Sequence, residues 1–356
     1  MRRLSLLVLL TALSLGAASA QQVERIIFLI GDGMGLGSVS MMQLENDFEE
    51  TIFDRADNIV LTKTYSLDNR VTDSAAAGTA LATGYKTNNT HISVSPEGEP
   101  LPTLAELASE QGMATGIVVT TYLQHATPAV FYAHNKSRHD SSDITRQLVD
   151  SRMDVAIGGG MKFFREVYGD EGAIRHSLDN KCCDLLRTLD EVKGYDASRR
   201  CIALLAESEV GAASGDYLAE ATREALRMLD AKSDKGFMLM VEGSLIDGMG
   251  HANDAKAQHV EMEGFMAAIE VAVEYAEHRP GTLVVVAADH ETGGLSIVSS
   301  DADFNLSEQG IEYRFTTKGH SAAMTPVYLY GTGAELLNGV MENSELGARL
   351  KELIRR

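Results

Sequence analysis

The stretch Thr282-Leu283-Val284-Val285-Val286-Ala287-Ala288-Asp289-His290 decides the fold class. Residues 282–288 form an apolar, β-branched run in which no polar residue alternates with an apolar one. Such a run reads as a strand buried on both faces. It ends in a carboxylate and an imidazole. Charged or polar groups at the mouth of a buried strand are expensive unless something pairs with them, and a metal ion is the simplest partner. A salt-bridged loop start would also account for this pair taken alone.

Outward from this stretch the pattern repeats. Residues 25–30, 116–120, 237–241 and 327–330 read as further buried strands, each short, apolar and followed by Gly, Asp or a polar cluster. Residues 101–111, 217–229, 254–276 and 344–354 read as helices. In the third, Phe265, Ile269 and Ala276 fall on one face. Strand–helix alternation predicts an α/β fold: a mostly parallel central sheet with helices on both faces. Residues 161–200 are more charged and irregular and are expected as a small surface insertion, and residues 293–317 as a β-hairpin. Ligands of such sheets gather beyond the carboxyl ends of the strands. Those ends here carry Asp32, residues 121–127 with His125 and Thr127, Glu242, and Asp289-His290.

Several segments carry candidate chemistry. Gly31-Asp32-Gly33-Met34-Gly35-Leu36-Gly37 directly follows a strand, but no G-x-G-x-x-G register fits, so a dinucleotide loop is excluded. The glycines let the backbone crowd something held beside Asp32, or merely make a turn. Val71-Thr72-Asp73-Ser74-Ala75-Ala76-Ala77-Gly78-Thr79 runs into a helix of small residues. Ser74 at a helix start fits a cap. It also fits a nucleophile, because free N–H groups and the helix dipole attract phosphate there. No histidine base is near in sequence, so a metal is the alternative activator. Asp247 and His251, one helical turn apart, can face one ion. His320, Arg138 and His125 mean little singly.

The chain has 356 residues, 44% hydrophobic and 23% charged, ordinary values for a globular protein. Arg2, Arg3, an apolar run and Ala18-Ser19-Ala20 read as a signal peptide over residues 1–20. The apolar run is short for a membrane span, and no cysteine follows it as a lipid anchor would need. A single domain over residues 21–356, exported to the periplasm or the cell exterior without a membrane anchor, is expected. The remainder carries 29 basic and 51 acidic residues. That balance argues against a nucleic-acid-binding surface, and it requires any phosphate site to bring its own concentrated positive charge. Cys182, Cys183 and Cys201 lack zinc-cluster spacing. An exported chain could pair Cys201 with either of the others.

Together these segments resemble the alkaline phosphatase family. The run V-T-D-S-A-A-A-G-T at residues 71–79 matches its nucleophile signature, and the metal-binding segments follow in the family's chain order. The resemblance implies two zinc ions and one magnesium. Asp247, His251 and His320 would hold the first zinc. Asp32, Asp289, His290 and the ionised Ser74 would hold the second. Asp32, Thr127 and Glu242 would hold magnesium. It also implies Ser74 as nucleophile of a double displacement on phosphate monoesters through a phosphoserine. Arg138 would grip phosphate oxygens with its planar fork, with Asp73 and His125 orienting the substrate site, in a homodimer. The four carboxylates would be outweighed by three divalent ions and Arg138, leaving a positive pocket in an acidic protein.

His125 stands where the best-known bacterial member has aspartate, and Gly248 where it has a phosphate-touching lysine. Both imply weaker retention of product. Only 29 residues separate His290 from His320, so the chain resembles a compact member. A phosphodiesterase or sulfatase of the same superfamily would lack the third-metal ligands Glu242 and Thr127. A metal-storage protein would need neither Ser74 nor Arg138.

Overall fold

The computed structural model describes residues 22–211, 215–300 and 310–355. Its strands are β1 (Arg25–Gly31), β2 (Asn58–Lys63), β3 (Ala114–Tyr122), β4 (Val155–Gly159), β5 (Cys183–Leu186), β6 (Arg200–Leu204), β7 (Phe237–Gly243), β8 (Thr282–Ala287), β9 (Glu291–Thr292), β10 (Leu295–Ser299), β11 (Ile311–Phe315), β12 (His320–Ser321), β13 (Thr325–Gly331) and β14 (Gly339–Glu342). Its helices are α1 (Leu36–Glu45), α2 (Ser74–Thr83), α3 (Leu104–Glu110), α4 (Ala126–Ala129), α5 (Ser141–Asp150), α6 (Met161–Tyr168), α7 (Glu171–Asp179), α8 (Leu189–Lys193), α9 (Tyr217–Lys232), α10 (Leu245–Ala252), α11 (Ala255–His278) and α12 (Asn343–Ile354).

Among the described residues, ten strands form one sheet in the order β14-β2-β13-β8-β1-β7-β3-β4-β6-β5. Every pairing is parallel except those of β13, which runs antiparallel to both β2 and β8. The mostly parallel α/β sheet follows the expectation, and the reason is visible in burial. Side chains of β1, β7 and β8 alternate between two core layers. Ile26, Phe28, Ile30, Met240, Leu283 and Val285 enter one, and Ile27, Leu29, Val241, Val284 and Val286 enter the other. Both faces are covered, so both sets must be apolar. Helices α2 to α7 and α12 pack on the first layer, and α1, α8, α9, α10 and α11 on the second. Phe265 and Ile269 on α11 are buried in that second layer.

Strands β10 and β11 pair antiparallel, as expected of residues 293–317. Residues 161–200 form α6, α7, β5 and α8 and reach the start of β6, with β5 at the sheet edge. Cys183 and Cys201 sit on the adjacent strands β5 and β6 but face opposite core layers. All three cysteines are unbridged. The expected signal peptide at residues 1–20 lies outside the described residues.

One packing detail sets the height of α2 against the sheet. Helix α12 crosses α2 at Gly347, where a Cβ would meet the carbonyl oxygens of Ala80 and Leu81, each at 2.5 Å. Lys351, one turn further on, donates Nζ hydrogen bonds to the Thr83 carbonyl (2.8 Å) at the end of α2 and to that of Pro102 (2.9 Å). In an ordinary helix interior, Gly→Ala stabilises by roughly 0.5–1 kcal/mol. At this crossing the sign should reverse. Gly347→Ala is expected to destabilise by about 1–3 kcal/mol through overpacking against backbone, read as a lower urea midpoint. An unchanged or higher midpoint would contradict the tight crossing.

Candidate metal centre and nucleophile

The parallel strands deliver their side chains to one place. β1, flanked by β7 and β8, ends at Gly31 and hands the chain to Asp32. Glu242 is the penultimate residue of β7, and Asp289-His290 follow β8 after Ala288. β3 ends just before His125 and Thr127, the latter on α4. Asp247 and His251 lie on α10, which begins immediately after β7. His320 arrives on β12, paired with Thr292 of β9.

Asp32, Glu242, Asp289 and His290 are fully buried. Single ligand atoms from Asp32, Asp289 and His290 lie within 4.8 Å of one another, as do those of Asp247, His290 and His320, and those of Asp32, His125 and Glu242. His251 joins the second group, with its Nε2 3.3 Å from Asp247 Oδ2 and 3.3 Å from His320 Nε2. The His290 and His320 rings stack at 3.6 Å between centroids. Thr127 donates to Asp32 Oδ2 at 3.1 Å. The expected ligands therefore converge, with two additions. His290 is shared between two groups, and His125 brings a nitrogen to the set that the sequence reading had made all oxygen.

Ser74 opens α2 and is buried, its Oγ 3.2 Å from His290 Nε2. The turn before it is tied down by Asp73, whose Oδ1 accepts from Ala76 N and whose Oδ2 accepts from Thr90 N, both at 3.0 Å. Arg138 Nη1 also donates to Asp73 Oδ2, at 3.1 Å, and its Nη2 lies 3.3 Å from His125 Nε2. Asp73 thus caps the helix that Ser74 opens and aims the guanidinium from the same carboxylate.

The electrostatics of the protein alone are unfavourable. Asp32 Oδ1, Asp289 Oδ2 and both Glu242 carboxylate oxygens are buried without a hydrogen-bond partner. Burial, reinforced by Asp289 and Asp247, pushes Asp32 well above the usual carboxylate range. Burial, with the neighbouring Asp289, lifts Glu242 to about 8, and burial, with Asp247, lifts Asp289 to about 7. Asp247 goes the other way. Its burial is outweighed by hydrogen bonds from His251 and His320, which hold it well below the usual range. His251, hydrogen-bonded to Asp247, rises to about 9. Burial holds His290 well below the ordinary imidazole value and, with Arg138, drops His125 to about 3. Crowded carboxylates with open lone pairs beside neutral imidazoles form a donor set for divalent cations. Nitrogen and oxygen ligands suit zinc, and oxygen-rich sets suit magnesium.

Sequence reasoning missed the groups behind the ligands. His251 Nδ1 is 2.6 Å from the Lys318 carbonyl, and His320 Nδ1 is 2.8 Å from that of Thr72. Thr292 Oγ1 contacts both Asp247 and His290. None of these contacts has a local sequence signal, because each joins segments far apart in the chain or depends on a particular rotamer.

The pattern of the alkaline phosphatase family matches residues 23–190 and 212–310. Alkaline phosphatase 4 of Bacillus subtilis is 33% identical over 295 residues, covering 78% of this chain and 63% of its own length. Streptomycin-6-phosphate phosphatase of Streptomyces griseus is 30% identical over 420 residues, covering 96% and 94%. The chain spans a little under two thirds of the two Bacillus subtilis relatives, at 63% and 66% of their lengths. The alkaline phosphatase structure from the Antarctic bacterium TAB5 superposes with a TM-score of 0.85 at 32% identity, covering 94% of this chain and 99% of that one. A variant of that enzyme with bound magnesium superposes at 0.86 and 31% identity, with the same coverage.

The charge crowding predicts a pH signature for metal-stripped protein. Above about pH 7.5 an unfolded histidine is largely neutral, so His125 and His290 drop out. Glu242 and His251 still hold protons in the folded state that the unfolded chain has released. The folded state then binds more protons, so stability falls as pH rises from about 7.5 to 9. Zinc at one hundred times its dissociation constant should return about 2.7 kcal/mol. Urea midpoints with and without EDTA across this range measure both effects. A midpoint that rises with pH in EDTA would contradict the reading.

Proposed function

Since the chain belongs to the alkaline phosphatase family, we propose that it hydrolyses phosphate monoesters to an alcohol and inorganic phosphate through a phosphoserine at Ser74, in a site holding two zinc ions and one magnesium. The observation carrying this reading is the position of Ser74. It opens a buried helix, and its hydroxyl touches His290 Nε2, the atom that also faces Asp32 Oδ1 and Asp289 Oδ2, two buried carboxylate oxygens without a hydrogen-bond partner.

Asp247, His251 and His320 are the ligands of one zinc, and Asp32, Asp289 and His290, with ionised Ser74, those of the other. Asp32, Thr127 and Glu242 hold magnesium, with His125 beside them. Bound cations supply the positive charge that lowers the Ser74 pKa and stabilises the departing ester oxygen. Ser74 Oγ forms the bond to phosphorus as the ester bond breaks, and the alcohol leaves after taking a proton from solvent. Water then cleaves the phosphoserine, restoring the hydroxyl and releasing phosphate. Free N–H groups at the start of α2 and the helix dipole meet the phosphate oxygens. Arg138 binds two of them with its fork, and Asp73 holds that fork in place. His125, kept neutral, positions the other side of the guanidinium.

The same reading takes residues 1–20 as an export leader, residues 21–356 as one domain with 161–200 as its insertion, and the product as a periplasmic or extracellular homodimer acting on small phosphate esters. Among the described residues no helix is long and apolar enough to cross a membrane.

Purified protein should cleave p-nitrophenyl phosphate at pH 9, lose that activity in EDTA, and prefer this ester over the corresponding diester and sulfate. Preference for the diester overturns the assignment. Ser74→Ala should lower kcat by about 10³-fold or more, form no phosphoenzyme, and still bind zinc. Arg138→Ala should raise KM and weaken phosphate inhibition without changing metal content. Gly248 opens onto free space, with nothing within 4 Å of a Cβ. Gly248→Lys is therefore expected to tighten phosphate inhibition and slow turnover where product release limits the rate. Unaltered inhibition would show that position 248 does not reach the phosphate.

A further inference from the structure

We propose that Thr292 is the positioning residue that locks Asp247 and His290 into one ligand geometry, so that the two zinc groups are set by a single hydroxyl. The inference rests on the reading that these groups hold metal, and it adds a residue which that reading does not use.

The argument is one of proton counting. For His251 and His320 the ring orientation needs no further explanation. Each Nδ1 faces a backbone carbonyl, of Lys318 and Thr72 respectively, and a carbonyl can only accept. Nδ1 must carry a hydrogen, so once Nε2 gives up the proton it shares with Asp247 its lone pair is left for a ligand. His290 is different. Its Nδ1 faces the Thr292 hydroxyl at 3.2 Å, and a hydroxyl can donate or accept. Left undetermined, the ring could place its hydrogen on Nε2, the atom that faces Ser74 Oγ, Asp32 Oδ1 and Asp289 Oδ2 at 3.2, 3.4 and 3.2 Å.

The ambiguity is removed on the other side of Thr292. Its Oγ1 lies 2.5 Å from Asp247 Oδ1. An ionised carboxylate can only accept, so the single hydroxyl proton is committed to Asp247. The oxygen must then accept from His290 Nδ1–H, and the Nε2 lone pair is freed toward the cluster. The same bond turns Asp247 so that Oδ2 meets His251 Nε2 at 3.3 Å, with Oδ1 3.5 Å from His320 Nε2.

The hydroxyl has little freedom to do otherwise. Thr292 is fully buried. A Cβ on Gly33 would lie 2.9 Å from Thr292 Oγ1, and one on Gly250 would lie 3.0 Å from its Cγ2, so two glycines make the slot that holds it. Its backbone is fixed as well. Thr292 N donates to Gly33 O at 3.1 Å, and the residue pairs with His320 between β9 and β12. One residue thus touches the loop after β1, helix α10, the end of β8 and the strand bearing His320.

The test is zinc competition against a chromophoric chelator on the purified full chain, with Thr292→Ala and Thr292→Ser. Loss of a group that orients metal ligands typically weakens metal binding about 10–100-fold, so Thr292→Ala should fall by that amount for both zinc ions, while Thr292→Ser stays within about threefold of wild type. Thr292→Ala holding zinc as tightly as wild type overturns the proposal. So does Thr292→Ser binding as weakly as alanine, since the hydroxyl would then not be the active feature. If Thr292→Ala fails to fold, Thr292→Val takes its place and is read the same way. A chain whose zinc affinity depends on Thr292 as expected, yet whose wild type cleaves no phosphate ester, would sink the proposed reaction alone. Unaltered zinc affinity in an active Thr292→Ala enzyme would sink this inference alone.

Discussion

The mutual repulsion of buried carboxylates is the constraint around which this molecule is arranged. Asp32, Glu242 and Asp289 are fully buried, and among the described residues no lysine or arginine forms an ion pair with any of them. Their proton affinities rise because the protein alone cannot stabilise their charges. Unpaired buried charges of this kind are ordinarily selected against, since each removes several kcal/mol unless it is neutralised or paired. Their concentration at the mouth of β1, β7 and β8 makes sense as a trade of fold stability for cation binding. The same trade answers the long-range problem. A chain of net charge −20 repels phosphate, and a cluster of cations held by these carboxylates would reverse the sign locally.

Meeting that constraint requires rigid delivery. Three of the carboxylates come from the carboxyl ends of adjacent parallel strands, whose register places Ile30 beside Glu242 and, on the other side, beside Ala287. Strands buried on both faces cannot slip by one residue without turning an entire apolar layer over. The ligand spacing is therefore fixed by the core rather than by loops. The remaining groups come from the start of α2, from α4 and α10 and from β12, and several are fastened by hydrogen bonds behind them. Asp73 is fixed through Ala76 and Thr90, and His251 and His320 through the carbonyls of Lys318 and Thr72.

Legibility in the sequence follows from these two kinds of placement. The strands at 25–30, 116–120, 237–241, 282–288 and 327–330 were readable because a strand covered on both sides must be continuously apolar. Their polar endings were readable because a carboxylate at the mouth of such a run is costly without a partner. β2, β4, β5, β6 and β14 gave little sign. They are short, β4 contains Gly158 and Gly159, and β5 and β14 lie at the sheet edges, where one side is open. Helix ends shifted by a turn or less, and Asp254 proved to be the cap of α11 rather than its first residue. His125 was legible as a departure from the family pattern beside Thr127, but its direct approach to Asp32 and Glu242 was not, because that depends on how the chain passes from β3 into α4. Thr292 had no sequence signal, since a threonine two residues past a histidine is ordinary until the fold brings Asp247 to it.

The composition of α2 is a consequence of the same geometry. Ser74 enters a buried cluster from the start of a helix that approaches it closely, and Ala75, Ala76, Ala77, Gly78, Ala80 and Ala82 keep that helix thin. A Cβ at Gly78 would press on Val130 at 3.1 Å, and the opposite face meets α12 at Gly347. Alanine-rich helices bury little area per residue, so α2 alone contributes weakly to the core. Its position is secured instead by its ends: Asp73 at the start, and Gly84 in the left-handed region with Lys351 on the final carbonyl at the finish. The signature run around Ser74 is thus a packing solution as much as a chemical one. Larger residues would add hydrophobic stabilisation, but they would move the Ser74 hydroxyl away from His290.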